Sequence, residues 1–171
     1  MDFERPIIKI IPSRPDILLD RISLLTIIAL WIFTIVQYFQ LPVSIPIHFN
    51  LKAEIDNYGD KATIFILPAI ISIVFAGLTV LNKFPHIFNY PRSITADNAV
   101  EEYTKATRLI RIIKLVIAVF ALLISFFIVQ SAKARHSALP MWIIPVFMIA
   151  MIAPVVATVS SSFKNKQKIK N

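Results

Sequence analysis

Residues 42–61 concentrate eight candidate ligand side chains: His48, Asn50, Glu54, Asp56, Asn57, Tyr58, Asp60 and Lys61. An imidazole among carboxylates is a set that can shuttle protons or hold a divalent cation. A metal built on His48 with Asp56 or Glu54 needs further nitrogen or sulfur ligands. The chain has no cysteine, and its other histidines are His86 and His136. His136 belongs to the next loop on the same side and can approach His48, which leaves His48, Asp56 and His136 as weak metal candidates. The plainer readings are structural. His48 bonds a loop carbonyl or carboxylate, Asp56 closes an Asx-type turn, Asp60 caps the helix that follows, and Lys61 anchors at an interface. Catalytic spacings such as H-E-x-x-H, a nucleophile elbow or a phosphate loop are missing. The expectation is therefore a ligand-binding set of His48, Asn50, Glu54, Asp56, Tyr58 and Lys61, no cofactor, and no positive sign of an enzyme.

The backbone carrying these residues has its own signals. Pro42 and Pro46 bias their predecessors toward extended conformations, so the stretch starts as a stiff ribbon. Val43, Ile45, Ile47 and Phe49 alternate with Ser44, Pro46 and His48, which predicts one face laid on an apolar surface. The run Asp56-Asn57-Tyr58-Gly59 reads as a turn, with Gly59 free to take a positive φ.

What holds this ribbon is a membrane protein. Of 171 residues, 57% are hydrophobic and 16% charged, and mean hydropathy is +0.72. A soluble domain carries about a quarter charged residues. The apolar residues form four blocks, each near the roughly 20 residues a bilayer requires. The expected fold is all-α and polytopic: a cytoplasmic arm (1–21), span 1 (22–41), an outer loop (42–61), span 2 (62–82), a cytoplasmic loop with an amphipathic helix (83–114), span 3 (115–132), a short outer loop (133–139), span 4 (140–163) and a basic tail (164–171). The third helix extends well into the cytoplasm.

Orientation follows the basic residues. Arg5, Lys9, Arg14, Arg21, Lys83, Arg92, Lys105, Arg108, Arg111, Lys114, Lys164, Lys166, Lys168 and Lys170 fall on one side, against Lys52, Lys61, Lys133 and Arg135 on the other. Both termini are expected inside. The net charge of +8 flanks apolar blocks, which suits a lipid surface and not nucleic acid. The span cores hold no ionisable residue, which argues against a proton or ion path. Segment 6–19 is expected to lie on the inner surface, and Pro68, Pro145 and Pro154 to kink their helices or free a carbonyl. Trp31 is expected to pack between helices, and Tyr38 and Trp142 to sit near the outer interface.

In the middle loop, Thr95 reads as a helix N-cap with Asp97 in the first turn. Val100, Tyr103, Thr107 and Ile110 mark an apolar face, and Glu101 with Lys105 an i,i+4 pair. Glu101 and Glu102 are expected on a solvated face, and Arg108, Arg111 and Lys114 to snorkel to the inner headgroups.

The run P-x-x-I-P-x-H-F-N from Pro42 to Asn50, with Asp56, Tyr58-Gly59 and Lys61, resembles an uncharacterised bacterial membrane domain. That domain also forms the N-terminal part of SdpI-type immunity proteins, which protect cells from a secreted killing peptide. Arg5-Pro6, Asn89-Tyr90-Pro91, Ile94-Thr95, Asn98-Ala99 and Tyr103 carry the likeness further. The chain departs from the family in having Ala53 where Gly is usual. The resemblance implies a bacterial cytoplasmic (inner) membrane as the location, and a structural set of Pro42, Pro46, Gly59, Asp60, Asn89, Tyr90, Pro91 and Thr95. The leading function is recognition of an extracytoplasmic peptide or small ligand by a non-enzymatic protein whose middle loop meets a cytoplasmic regulator. A transporter subunit and a metal-assisted enzyme are the alternatives. Oligomeric state is not legible.

Overall fold

The computed structural model of the chain describes residues 5–50, 52–134 and 140–168, with side chains to residue 163. Four long helices carry the fold. Helix α1 is Arg14–Tyr38; strands β1 (Ser44–Phe49) and β2 (Ile55–Asp60) follow; a 3-10 turn, Lys61–Phe65, leads into α2, Ile66–Leu81. A second short turn, Pro85–Ile87, precedes α3, Ala99–Ala134, and α4 is Ile143–Lys168. All four helices are long and apolar enough to cross a membrane, the second counted from Lys61. At 1.5 Å per residue, the 36 residues of α3 reach about 54 Å, well beyond a hydrocarbon core of about 30 Å.

Helix α1 starts inside the expected cytoplasmic arm. Asp16 accepts from the Ser13 backbone N–H at 2.9 Å and from its hydroxyl at 2.5 Å, which closes the start of the helix. The part of segment 6–19 from Arg14 onward is helix, continuous with the first span.

Helices α1 and α3 meet along faces of small and hydroxyl side chains. Ser23, Ile27, Leu30 and Thr34 of α1 are buried, as are Ala118, Ala121 and Ser125 of α3. Small residues allow backbones to approach where lipid supplies no hydrophobic drive. The Ser23 and Thr34 hydroxyls donate to the carbonyls of Leu19 and Leu30, so they enter the interior satisfied. Trp31 stacks with Phe65 at 6.3 Å and donates to the Ser72 hydroxyl at 2.9 Å, packing between helices as expected. Helix α4 packs on α3 through Phe120 and Phe147, whose rings stack at 3.9 Å. Only 6% of its most apolar window is buried, so most of that surface is left for lipid or a partner.

Of the three prolines expected to kink a helix or free a carbonyl, Pro154 lies in a helix interior and the other two do not. Pro68 is the third residue of α2 and Pro145 the third of α4, positions where no intrahelical N–H bond is lost. Pro154 lies in the interior of α4, where its missing N–H leaves the Ala150 carbonyl without the usual helical donor, as expected, and Thr158 donates to the Pro154 carbonyl at 2.8 Å.

The two ends of the bundle differ. At one, Leu41, Ile45, Ile64, Val129 and Ala132 form a buried cluster beneath the strands. At the other, Ile94, Ala99 and Tyr103 form a second, with Ile8, Ile10 and Tyr90 against it. We refer to them as the hairpin end and the basic end.

Candidate functional site

The ribbon of residues 42–61 folds as an antiparallel hairpin, and the turn is not where the sequence suggests. Asp56, Asn57, Tyr58 and Gly59 lie in β2, and Gly59 has no positive φ. The chain reverses at residues 50–54. Asn50 is its organiser: its Oδ1 accepts from the N–H groups of Lys52 (2.8 Å) and Glu54 (3.0 Å), and its Nδ2 donates to Glu54 Oε2 at 2.9 Å. This is the Asx-type role expected of Asp56, taken by Asn50. Ala53 sits at φ +61°, in the left-handed region where glycine is at ease. An asparagine that mimics a backbone acceptor outweighs a D-N-Y-G signature here, because β2 residues find partners across the ladder.

The pairing runs Ser44 with Asp60, Ile45 with Gly59 and Pro46 with Tyr58, then His48 with Asn57 and Phe49 with Ile55. Ile47 on β1 and Asp56 on β2 are the residues skipped. Two such bulges break the alternation predicted for β1, so Ile45 (1% exposed) and Pro46 turn inward while Val43 (76%) and Ile47 (44%) stay out. Pro46 can occupy this irregular position because it needs no ladder N–H. Gly59 is explained by proximity: a Cβ there would lie 2.9 Å from Ile47 Cδ1.

The offset bulges bring His48 and Asp56 together, with Nδ1 and Oδ1 2.5 Å apart. The side chains are 66% and 41% exposed, so the carboxylate fixes the imidazole at the surface. Its other ring nitrogen makes no hydrogen bond to any described residue and is available to a ligand. Tyr58 stands 52% exposed on the same strand. Asp60 accepts from Ala62 N–H at 2.7 Å, capping the turn into α2. Lys61 points back to α1, its Nζ 4.6 Å from the centre of the Tyr38 ring and 3.4 Å from the Tyr38 carbonyl, which ties the hairpin's exit to the end of span 1. Of the ligand set, His48 and Asp56 form one unit and Asn50 with Glu54 another. Lys61 belongs to the seat. No cluster of three His, Cys, Asp or Glu able to hold a metal occurs among the described residues, and His136 lies outside them. Beside the hairpin runs an apolar groove of about 380 Å³, lined by Ile45, Ile47, Ile64, Leu67, Ser125 and Ile128 among others.

The basic end carries buried ionic contacts, among them one at Glu102, a residue expected on a solvated face. Glu102 is 2% exposed. It accepts from Arg92 at 2.8 Å, Lys105 at 3.1 Å and the Ser162 hydroxyl at 2.7 Å, joining the middle loop, α3 and α4. Glu101 keeps its expected partner Lys105 at 2.6 Å. Asp16 takes a two-pronged contact from Arg108, Nε at 2.7 Å and Nη2 at 3.2 Å. Asp20 accepts from Arg111 at 2.9 Å and Lys114 at 2.7 Å, and Lys114 also reaches the Thr79 hydroxyl at 3.1 Å. These cations are thus clasped by α1 and do not simply snorkel. The missed signal was complementary spacing: acids four apart on α1 facing bases three apart on α3.

The residues that carry the resemblance at this end meet in a single knot. Arg5 donates to the carbonyls of His86 (3.1 Å) and Phe88 (2.5 Å) and lies 5.6 Å over the Tyr90 ring. Tyr90 donates to Pro85, and Tyr103 to Pro6. Burial holds the Tyr90 hydroxyl above the usual phenol range, with the neighbouring Tyr103 adding to the effect, so it remains a donor. Thr95 is not the cap: Asn98 Oδ1 accepts from Thr95 N–H, the Thr95 carbonyl accepts from Ala99 N–H, and α3 begins at Ala99. Of the predicted apolar face, Tyr103 and Thr107 are buried, whereas Val100 is exposed.

Residues 25–72, which contain most of span 1, the hairpin and the start of α2, match the model of a family described as a domain of unknown function, DUF1648. A protein of Archaeoglobus fulgidus named "Uncharacterized protein" is 34% identical over 79 residues, 42% of this chain and 43% of that relative. The chain thus aligns with less than half of that relative's length. No solved structure matches the chain.

Proposed function

We propose that the chain is a multi-pass membrane protein that recognises a ligand outside the cytoplasm through its hairpin, without catalysing a reaction. The observation that carries this reading is the exposed His48–Asp56 pair beside Tyr58, set on a hairpin whose other face is anchored by buried Ile45. A preorganised polar surface binds without the entropic cost of ordering a loop. The apolar groove next to it suits the hydrophobic part of an amphipathic ligand, and a membrane-active peptide has both features. The likeness to the SdpI-type immunity domain points the same way. By the positive-inside rule the basic end faces the cytoplasm, where the middle loop is open to a regulator.

The test is growth of cells expressing the protein under challenge by a panel of membrane-active peptides. At least one peptide is expected to be tolerated better by cells with the wild-type chain than by cells with His48→Ala/Tyr58→Ala at equal membrane abundance. A panel in which the variant never differs from wild type would remove the reading. The hairpin would then be a lid.

A further inference from the structure

At the basic end, a chamber of about 740 Å³ opens between the N-terminal arm, the connection from α2 to α3, and α3 itself. Its walls combine two kinds of residue. Ile7, Ile8, Ile10 and Phe84 are apolar, while Lys9, Lys83 and Arg111 are cationic. Lys9 and Lys83 make no hydrogen bond or ion pair with any described residue. Arg111 is oriented by Asp20, which takes its Nε at 2.9 Å; its two terminal nitrogens make no hydrogen bond among the described residues. No carboxylate is among the described residues that line the chamber, and Asp20 behind Arg111 is already matched by two cations, since Lys114 holds it as well. The balance is positive.

Two further observations bear on the occupant. Lys83 follows within two residues of Leu81, where the apolar span Lys61–Leu81 stops, and this depth is that of lipid headgroups. The arm beside it exposes Ile7 (81%) and Ile11 (86%) on either side of Lys9, an apolar and basic mixture suited to a membrane surface. The chamber wall also holds a buried acceptor without a donor, Asn82 Oδ1, whose amide nitrogen is taken by the Thr107 carbonyl at 3.2 Å. A buried acceptor left unpaired is costly, and a ligand hydroxyl would satisfy it.

We propose that this chamber binds a phosphate-bearing anion, with Lys9, Lys83 and Arg111 as its cationic contacts and Asn82 as acceptor for a neighbouring hydroxyl. The phosphate can belong to an anionic phospholipid or be free in solution, and the chemistry is the same for both. A guanidinium with free terminal nitrogens suits phosphate geometry, and two unpaired ammonium groups supply point charges.

The full chain, reconstituted in phosphatidylcholine nanodiscs with graded phosphatidylglycerol, tests this by thermal unfolding and by mass spectrometry of retained lipid. A parallel series adds inorganic phosphate to discs without the anionic lipid. Wild type is expected to retain phosphatidylglycerol and melt higher with it, and Lys9→Gln/Lys83→Gln to weaken the apparent affinity by about tenfold or more. Lys166→Gln/Lys168→Gln, which removes the same charge from the tail, is expected to change it little. Stabilisation by inorganic phosphate alone, lost in the Lys9/Lys83 variant, would assign the site to a soluble phosphate. Equal weakening by the tail variant would reduce the effect to general surface charge and overturn the proposal, as would a wild type indifferent to both phosphate sources. Should the double variant fold poorly, Lys83→Glu alone is expected to give the same loss.

Discussion

The hairpin end and the basic end use polar residues in opposite ways. At the hairpin, partners are close in sequence: His48 with Asp56, Asn50 with Glu54. They are exposed, and they shape a surface. At the basic end several partners are far apart in sequence, Ser162 with Glu102 by 60 residues and Lys114 with Asp20 by 94, while Arg92 and Lys105 join Glu102 from nearby, and several of these groups are almost fully buried. They hold helices together. An exposed ion pair contributes about 0–1 kcal/mol, whereas removing one member of a buried set costs about 3–5 kcal/mol by stranding the others. The exposed pair on the hairpin is left to serve a ligand, whereas the buried ionic contacts that join helices gather at the basic end; at the hairpin end single lysines tie the helices, Lys61 to Tyr38 and Lys133 to Gln37 and Gln40.

The largest effect that would break this comparison is expected at Glu102. Glu102→Ala strands Arg92 and the Ser162 hydroxyl inside the basic end and leaves Lys105 to Glu101 alone, and unfolding in detergent should register a loss of about 3–5 kcal/mol. Next comes the hairpin's apolar anchor. Ile45→Ala empties a site 1% exposed and is expected to cost about 2–4 kcal/mol, read in the same unfolding assay and as faster amide exchange in β1 and β2. Ala53→Gly should act in the other direction: relieving φ +61° stabilises by about 1 kcal/mol, seen as a raised melting temperature. Asp56→Asn is the smallest, within about 1 kcal/mol of wild type because the pair is exposed, and its consequence should appear in ligand response instead.

Much of this was legible in the sequence. The four helices follow from apolar block length, the location of the candidate site from the cluster at 42–61, and the cap at Asp60 from its place before an apolar run. What escaped depended on distance or on fine register. Whether Asn50 or Asp56 organises a turn depends on which backbone donors the ladder leaves unpaired, and composition does not report that. The alternation in β1 failed because two bulges reset it. Glu102 read as solvated because its partners, Arg92 and Ser162, are brought to it by the middle loop and by α4, neither of which local periodicity can place. Asp16 and Asp20 were legible in principle, as acids in an otherwise basic segment with matching bases on a second helix.

The division between a presenting end and a cohesive end is tested most directly by melting purified His48→Ala and Glu102→Gln side by side in one detergent. A large drop is expected for Glu102→Gln, which cannot supply the negative charge that Arg92 and Lys105 face, and a midpoint close to wild type for His48→Ala. If His48→Ala melted as early as Glu102→Gln, the His48–Asp56 pair would be a brace of the fold, and its assignment to a ligand surface would be contradicted.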